Sequence, residues 1–255
     1  MANNGGYPRQ TMPTYYQADN DLGLYDALNA ILITATAEIC DGLDNDCNGQ
    51  ADEFAHASGL VGWWPGNGHA NDATGNNSGT LGGTATYASG EVGQAFSFDG
   101  AGYVTNLGAT GSFSFIENTG AFTIESWIKL NDPTALLQQA ITANTSTSNE
   151  KGHFFIWENS AGDQRLRLAL MKAIVGVPVI EAASPTHVIT TNGWHHVAAV
   201  GNGTNVTFYV DGQGFLAIGT MGTRPSGVST RTLNIGRCPS ASPESCKARM
   251  CGWVR

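Results

Sequence analysis

Between Gly59 and Gly236 the chain alternates short β-prone runs with turns of Gly, Asn and Asp: LVGWW, GQAFSFDG, GYVTNL, AFTIESWIKL, HFFIWEN, RLRLAL, WHHVAAV, NVTFYVDGQ and TLNIG. In AFTIESWIKL, Phe122, Ile124, Ser126 and Ile128 share one face, while Thr123, Glu125, Trp127 and Lys129 share the other. That period of two is expected of a half-buried strand. Asp211-Gly212 is a favoured two-residue hairpin turn. Little room is left for helices, so an all-β sandwich of two antiparallel sheets is expected.

Composition narrows the class further. With 255 residues, 41% hydrophobic and 13% charged, the chain is globular and large enough for one substantial core and a smaller piece. A net charge of -9 and a pI near 5.0 exclude nucleic acid and anionic membrane as favoured partners, since both would be repelled. The 33 glycines, set among many Thr, Ser and Asn, suit a secreted protein with tight turns.

The segment Ile39 to Glu53, ICDGLDNDCNGQADE, constrains chemistry most tightly. Asp44, Asp46 and Asn48 alternate, Gly49 follows where the backbone must turn, and Asp52 comes three residues later. This matches the opening of the D-x-[DN]-x-[DN]-G loop, whose oxygen donors favour Ca2+. Gln50 would offer its carbonyl, but the twelfth position is Ala55 rather than Glu, so Asp41 or Glu53 must substitute. A Cys40–Cys47 disulfide would pre-order the ligands and implies oxidising surroundings. The competing readings are a zinc site, short of thiolate ligands here, and an acidic linker without an ion.

The N-terminus MANNGGYPRQ has no basic stretch followed by an apolar one, and the apolar run near Ala27 to Ile33 is too short to span a bilayer. A fragment of a longer exported protein is expected, with no membrane insertion. Leu22, Tyr25, Leu28 and Leu32 mark one helical face behind an N-cap at Asp19 or Asn20. Residues 1–37, with Gly5-Gly6, Tyr15-Tyr16 and this helix, resemble the closing strand and helix of a von Willebrand factor A domain. The Asp-x-Ser-x-Ser metal motif of that family is absent.

The blocks GLVGWW (Gly59 to Trp64), DATGNN (Asp72 to Asn77), GQAFSFDG (Gly93 to Gly100), FTIESWIK (Phe122 to Lys129), GWHHVAAV (Gly193 to Val200) and FYVDG (Phe208 to Gly212) follow one another. In that order they resemble a laminin G-like, concanavalin A-like jelly roll over residues 58–237. The resemblance implies two curved antiparallel sheets, a role in binding carbohydrate or a surface protein, and a structural calcium ion. The linker at 38–54 is similar to a metal-binding repeat of secreted bacterial proteins and to thrombospondin type 3 calcium repeats. Through the family's D.SGN.N loop, Asp72, Asn76 and Asn77 become candidates for a second calcium site, with an Asx-rich turn as the alternative.

Some jelly rolls of this shape are glycosidases with a Glu-x-Asp-x-x-Glu run, which places several acids on one face. Here Glu125 and Glu158 stand isolated, and no enzyme is expected. His195 and His196 are strand neighbours and point to opposite faces, so they cannot chelate one ion. Trp194 and one of these histidines are expected in the core. Trp63, Trp64, Trp127 and Trp157 are the rings available as sugar platforms, although most tryptophans of a small sandwich are core.

Residues 238–255 depart from this style. Six of the 12 Lys and Arg lie from Arg224 onward, and Cys238, Cys246 and Cys251 crowd together. The family's usual last strand, of the IDEVRIYN kind, has no match in these residues, so a frameshifted tail and an exposed sheet edge are expected, with a cysteine-stapled tail as the alternative. The leading expectation is an extracellular recognition or adhesion module that binds glycan or a surface protein; the alternatives are a glycosidase of this fold and a structural spacer.

Overall fold

A computed structural model of the chain describes residues 59–130, 138–145, 151–160, 162–171, 178–189, 193–218, 229–237 and 250–254. The chain divides into two units, Met1–Gly59 and Leu60–Arg255, and the sandwich is the second. The Cys40–Cys47 loop and the N-terminal helix lie outside the described residues.

The first half of the sandwich contains β1 (Thr80–Gly82), β2 (Thr86–Ser89), β3 (Gln94–Ser97), β4 (Tyr103–Leu107), the single-turn helix α1 (Phe115–Thr119), β5 (Ala121–Leu130) and β6 (Gln138–Ala143). Then come β7 (Gly152–Ser160), β8 (Asp163–Met171), β9 (Pro178–Ala183), β10 (Trp194–Asn202), β11 (Val206–Val210), β12 (Gln213–Leu216), β13 (Leu233–Ile235) and β14 (Met250–Val254). The first sheet runs β1-β4-β13-β6-β7-β8-β9 and the second β12-β11-β10-β5-β14-β3-β2, with antiparallel pairing throughout. The expected nearly all-β jelly-roll sandwich is what the chain forms.

One apolar core fills the space between the sheets. Phe155, Trp157, Leu166, Leu168, Leu170, Leu233 and Ile235 from the first sheet join Phe96, Phe122, Ile124, Ile128, Val197 and Phe208 from the second. Strand β5 shows why. Positions 122, 124, 126, 128 and 130 are buried, while the residues between them are exposed or half-buried, as the sequence alternation requires. The β11–β12 turn is the expected Asp211-Gly212 pair, with φ of 49° and 80°. Two positive φ values make the type I′ hairpin turn, whose twist matches that of the strands.

The expectation of a missing closing strand is corrected by β14. Met250–Val254 pairs with Leu130–Ser126 of β5 on one side and with Phe96 and Ser97 of β3 on the other. The strand lies inside the second sheet, and its edges are β12 and β2. Strand pairing needs backbone donors and acceptors at matched spacing, which MCGWV supplies without the family's acidic pattern.

Candidate functional site

Asp72 lies buried under a knot of donors. Its Oδ1 accepts from the backbone N–H of Trp63 at 2.8 Å and of Thr74 at 2.9 Å. Its Oδ2 accepts from Thr74 Oγ1 at 2.6 Å, Asn77 N at 2.9 Å and Asn77 Nδ2 at 3.2 Å. Asn77 in turn accepts the indole N–H of core residue Trp64 at its carbonyl, at 2.9 Å. Burial alone would raise the Asp72 pKa, but the Thr74 hydroxyl and the Trp63, Thr74 and Asn77 amides more than offset it and hold the carboxyl below its ordinary value. The structure thus gathers Asp72 and Asn77, while exposed Asn76 bonds Thr74 O at 3.2 Å. Among the described residues, no group of three or more His, Cys, Asp or Glu could hold a metal ion.

The outer face of the second sheet carries Trp127 and His196 opposite each other in register, their rings meeting edge-on at 5.4 Å. His196 Nε2 lies 3.6 Å from Glu125 Oε2. Trp194 and both histidines are half-buried and none joins the core, contrary to expectation. At the start of β10, beside the β11–β12 hairpin, Asp211 Oδ2 lies 2.7 Å from His195 Nδ1 and Oδ1 accepts from His196 N at 2.9 Å. Of the candidate sugar platforms, Trp64 and Trp157 are core residues, and Trp63 and Trp127 are half-buried.

The outer face of the first sheet brings more chemistry together. Register sets out three rows across it: Gln138, Glu158 and Arg165; Ala140, Ile156, Arg167 and Ala183; and Asn234, Ala143, Phe154, Ala169 and Glu181. Small alanines occupy the middle of the face, and Phe154 packs against Ala140, Ala143 and Ile156. Glu158, its side chain only 3% exposed, accepts from Arg165 Nε at 2.8 Å, Arg167 Nη1 at 3.3 Å and Gln138 Nε2 at 3.2 Å. Arg167 also pairs with Glu181 through Nη2 and lies over the Phe154 ring, 5.4 Å from its centroid. Two buried polar atoms here, Arg167 Nε and Asn234 Oδ1, have no hydrogen-bond partner among the described residues. Such atoms are uncommon in folded proteins and mark where a water or ligand completes the network.

Of these residues the sequence singled out only Glu158, as an isolated acid. RLRLAL could have pointed to Arg165 and Arg167, because its alternation sends both to the face opposite Leu166, Leu168 and Leu170. Their meeting with Gln138, Phe154 and Glu181 depends on pairing between separate strands.

A family model, the laminin G-type model of the concanavalin A-like lectin/glucanases superfamily, matches residues 98–251, more than half of the chain. The chain belongs to this superfamily. A metal-binding motif of the copper-binding MopE type matches residues 33–53. No curated protein matches the chain.

Solved structures agree on the superfamily fold. Domain 4 of AbnA, a GH43 extracellular arabinanase from Geobacillus stearothermophilus in complex with arabinotriose, superposes with a TM-score of 0.55 at 18% identity, covering 76% of this chain and 91% of that one. A mutant of Trypanosoma rangeli sialidase displaying trans-sialidase activity gives 0.52 at 15% identity, with 77% and 30% covered. The binding domain of Botulinum Neurotoxin DC in complex with SialylT gives 0.51 at 16% identity, with 72% and 43% covered. The chain spans less than half of the sialidase and toxin chains.

These comparisons overturn the expectation that the protein is not an enzyme. Chains of the same fold come from an arabinanase and a sialidase, so the isolation of Glu125 and Glu158 does not exclude catalysis. Among the described residues no helix is long and apolar enough to cross a membrane.

Proposed function

We propose that the sandwich is a carbohydrate-recognition module working outside the cell or at its surface, with the sugar seated on the outer face of the first sheet. The observation that carries this reading is the polar network of Gln138, Glu158, Arg165, Arg167 and Glu181 across four neighbouring strands, with Arg167 lying over the Phe154 ring. Sugars present apolar ring faces and hydroxyls together, and this face offers an aromatic ring beside donors and acceptors on rigid strands. Arg167 Nε and Asn234 Oδ1 are unsatisfied there, which supports a polar occupant. The glycan-complexed arabinanase domain and toxin domain of this fold support the ligand class.

In the same reading, the linker at 38–54 holds a structural Ca2+ through Asp41, Asp44, Asp46, Asn48, the Gln50 carbonyl, Asp52 and Glu53, braced by a Cys40–Cys47 disulfide. Carboxylate and carbonyl oxygens suit a hard cation better than copper, which prefers imidazole or sulfur. The ion organises the joint, and recognition lies in the sandwich.

The test applies the whole chain to an array of arabinan, galactan, uronide and sialylated oligosaccharides, with mass spectrometry of the sugars afterwards to detect cleavage. Binding that falls at least tenfold in Arg167→Ala supports the reading, and no binding to any sugar rejects it. Calorimetry with Ca2+ and Cu2+ separately decides the metal: uptake of Cu2+ and not Ca2+ overturns the calcium assignment.

A further inference from the structure

We infer that the carbohydrate taken by this face is acidic, and that Arg165 grips its carboxylate or sulfate. The inference rests on the carbohydrate reading above and narrows it to a ligand class.

The geometry of Arg165 is that of a guanidinium fixed at one edge and open at the other. Register places it opposite Glu158, and Glu158 Oε1 accepts from its Nε at 2.8 Å. The Glu158 carboxylate is almost wholly buried, with 3% of the side chain exposed, so this bond is shielded from water and holds the guanidinium plane in place. The Arg165 side chain is itself 33% exposed. Among the described residues its two terminal nitrogens have no partner, whereas Arg167 spends Nη1 on Glu158 and Nη2 on Glu181. The free edge is a planar pair of N–H donors that matches the two oxygens of a carboxylate or sulfate.

Charge supports the same conclusion. Glu158 serves two guanidiniums, and Arg167 has Glu181 as a second counter-ion, so Arg165 is the cation with the least neutralisation on the face. Because Nε is already bound, little rotamer freedom is lost when an anion docks, which favours binding. A role confined to bracing Glu158 would need only Nε and would not require the other edge to face solvent. The net charge of -9 repels anions at long range, so discrimination arises at contact.

The decisive comparison uses the unmodified chain with trigalacturonic acid and its methyl ester, which differ at the carboxyl groups alone. The acid is expected to bind at least tenfold tighter. In Arg165→Gln the ratio is expected to fall to about one, and in Arg165→Lys to an intermediate value, since an ammonium offers a point charge without the fork. Sulfated galactan oligosaccharides, run beside unsulfated ones, show whether sulfate substitutes for carboxylate. Equal affinity of the unmodified chain for acid and ester, with no preference for the sulfated sugar, overturns the inference and leaves the carbohydrate reading standing. Failure to bind any of the four overturns the inference, and failure across the whole sugar array overturns the carbohydrate reading with it. An acid-to-ester ratio that survives in Arg165→Gln, with its thermal midpoint near that of the unmodified chain, assigns the selectivity to another residue and also overturns the inference.

Discussion

Glu117 and His153 face each other in full burial, with His153 Nδ1 3.8 Å from Glu117 Oε1. Asn144 Nδ2 donates to the same oxygen at 3.1 Å, and Asn144 Oδ1 accepts from His153 N at 2.6 Å. The pair ties α1 to the β6 and β7 ends, and among the described residues Glu117 Oε2 and both His153 ring nitrogens have no hydrogen-bond partner. Burial alone would raise the Glu117 pKa, but the His153 imidazole 3.8 Å away and the Asn144 amide more than offset it and lower it below the ordinary value.

The sign of the pH dependence follows. A carboxyl whose folded pKa lies below its unfolded one, about 4.3 for Glu, stabilises the fold fully above the unfolded value. That stability is lost as pH falls through the folded pKa. Thermal melts between about pH 3 and pH 7 are expected to show a falling acid limb, and Glu117→Gln should flatten part of it. The same variant should lose on the order of 1 kcal/mol at neutral pH, because the buried Asn144 amide then donates to a neutral amide oxygen in place of a carboxylate. An unchanged acid limb in Glu117→Gln would assign the effect to other carboxyls.

Asp72 gives a second prediction of the same sign. Its pKa is also lowered, so its contribution is present above the ordinary Asp range and lost toward acid. Asp72→Ala removes the acceptor of five donor contacts, the buried Asn77 N–H among them. Unsatisfied buried groups cost about 1–3 kcal/mol each, so denaturant unfolding of this variant should show a loss of at least that size. Asn76→Ala, changing an exposed side chain in the same loop, should stay within about 0.5 kcal/mol of the parent. Stabilisation of the parent by added Ca2+ that is lost in Asp72→Ala would instead point to an ion at this loop.

Strands with a strong period of two were legible from the sequence. AFTIESWIKL is β5 end to end, and RLRLAL, HFFIWEN, WHHVAAV and VTFYV fall within β8, β7, β10 and β11. TLG, TYAS, QQAITA and PVIEAA, which form β1, β2, β6 and β9, were not. They are short or polar at their start, or open with proline, and what makes them strands is pairing with a neighbour, on both sides for β6 and on one side for the edge strands β1, β2 and β9. MCGWV illustrates the extreme, since its place in the second sheet comes from pairing with β5 and β3 rather than from any pattern of its own. The candidate site divides in the same way. Glu158 stood out as a charge in an apolar run, but its guanidinium partners could be chosen only once β7 and β8 were in register.

The β11–β12 turn offers a local test of backbone chemistry. Gly212 has a φ of 80°, and a Cβ there would meet nothing within 4 Å, so space is not the obstacle. Gly212→Ala is therefore expected to cost about 1–2 kcal/mol from conformation alone, measured by chemical denaturation. Gly59→Ala, at a φ of 88° and in equally open space but outside any hairpin, is the matching control. A loss at Gly59 as large as at Gly212 would show that the effect is the residue's own conformational penalty and owes nothing to hairpin register.

The two outer faces can be told apart by truncating one ring on each. Trp127 is held edge-on by His196, which in turn sits beside Glu125, so its ring is part of the second sheet's own packing. Phe154 lies over small alanines and under the Arg167 guanidinium, beside the unsatisfied Arg167 Nε and Asn234 Oδ1. Trp127→Ala should lower stability by about 1–3 kcal/mol, as loss of a half-buried aromatic does, and leave sugar affinity within about twofold. Phe154→Ala should weaken sugar binding by about tenfold or more, equivalent to roughly 1.4 kcal/mol, because it removes the apolar surface beneath the Arg167 guanidinium. Calorimetric titration of both variants with the tightest-binding saccharide decides between the faces. The reverse pattern, affinity lost in Trp127→Ala and kept in Phe154→Ala, would move the binding site to the second sheet.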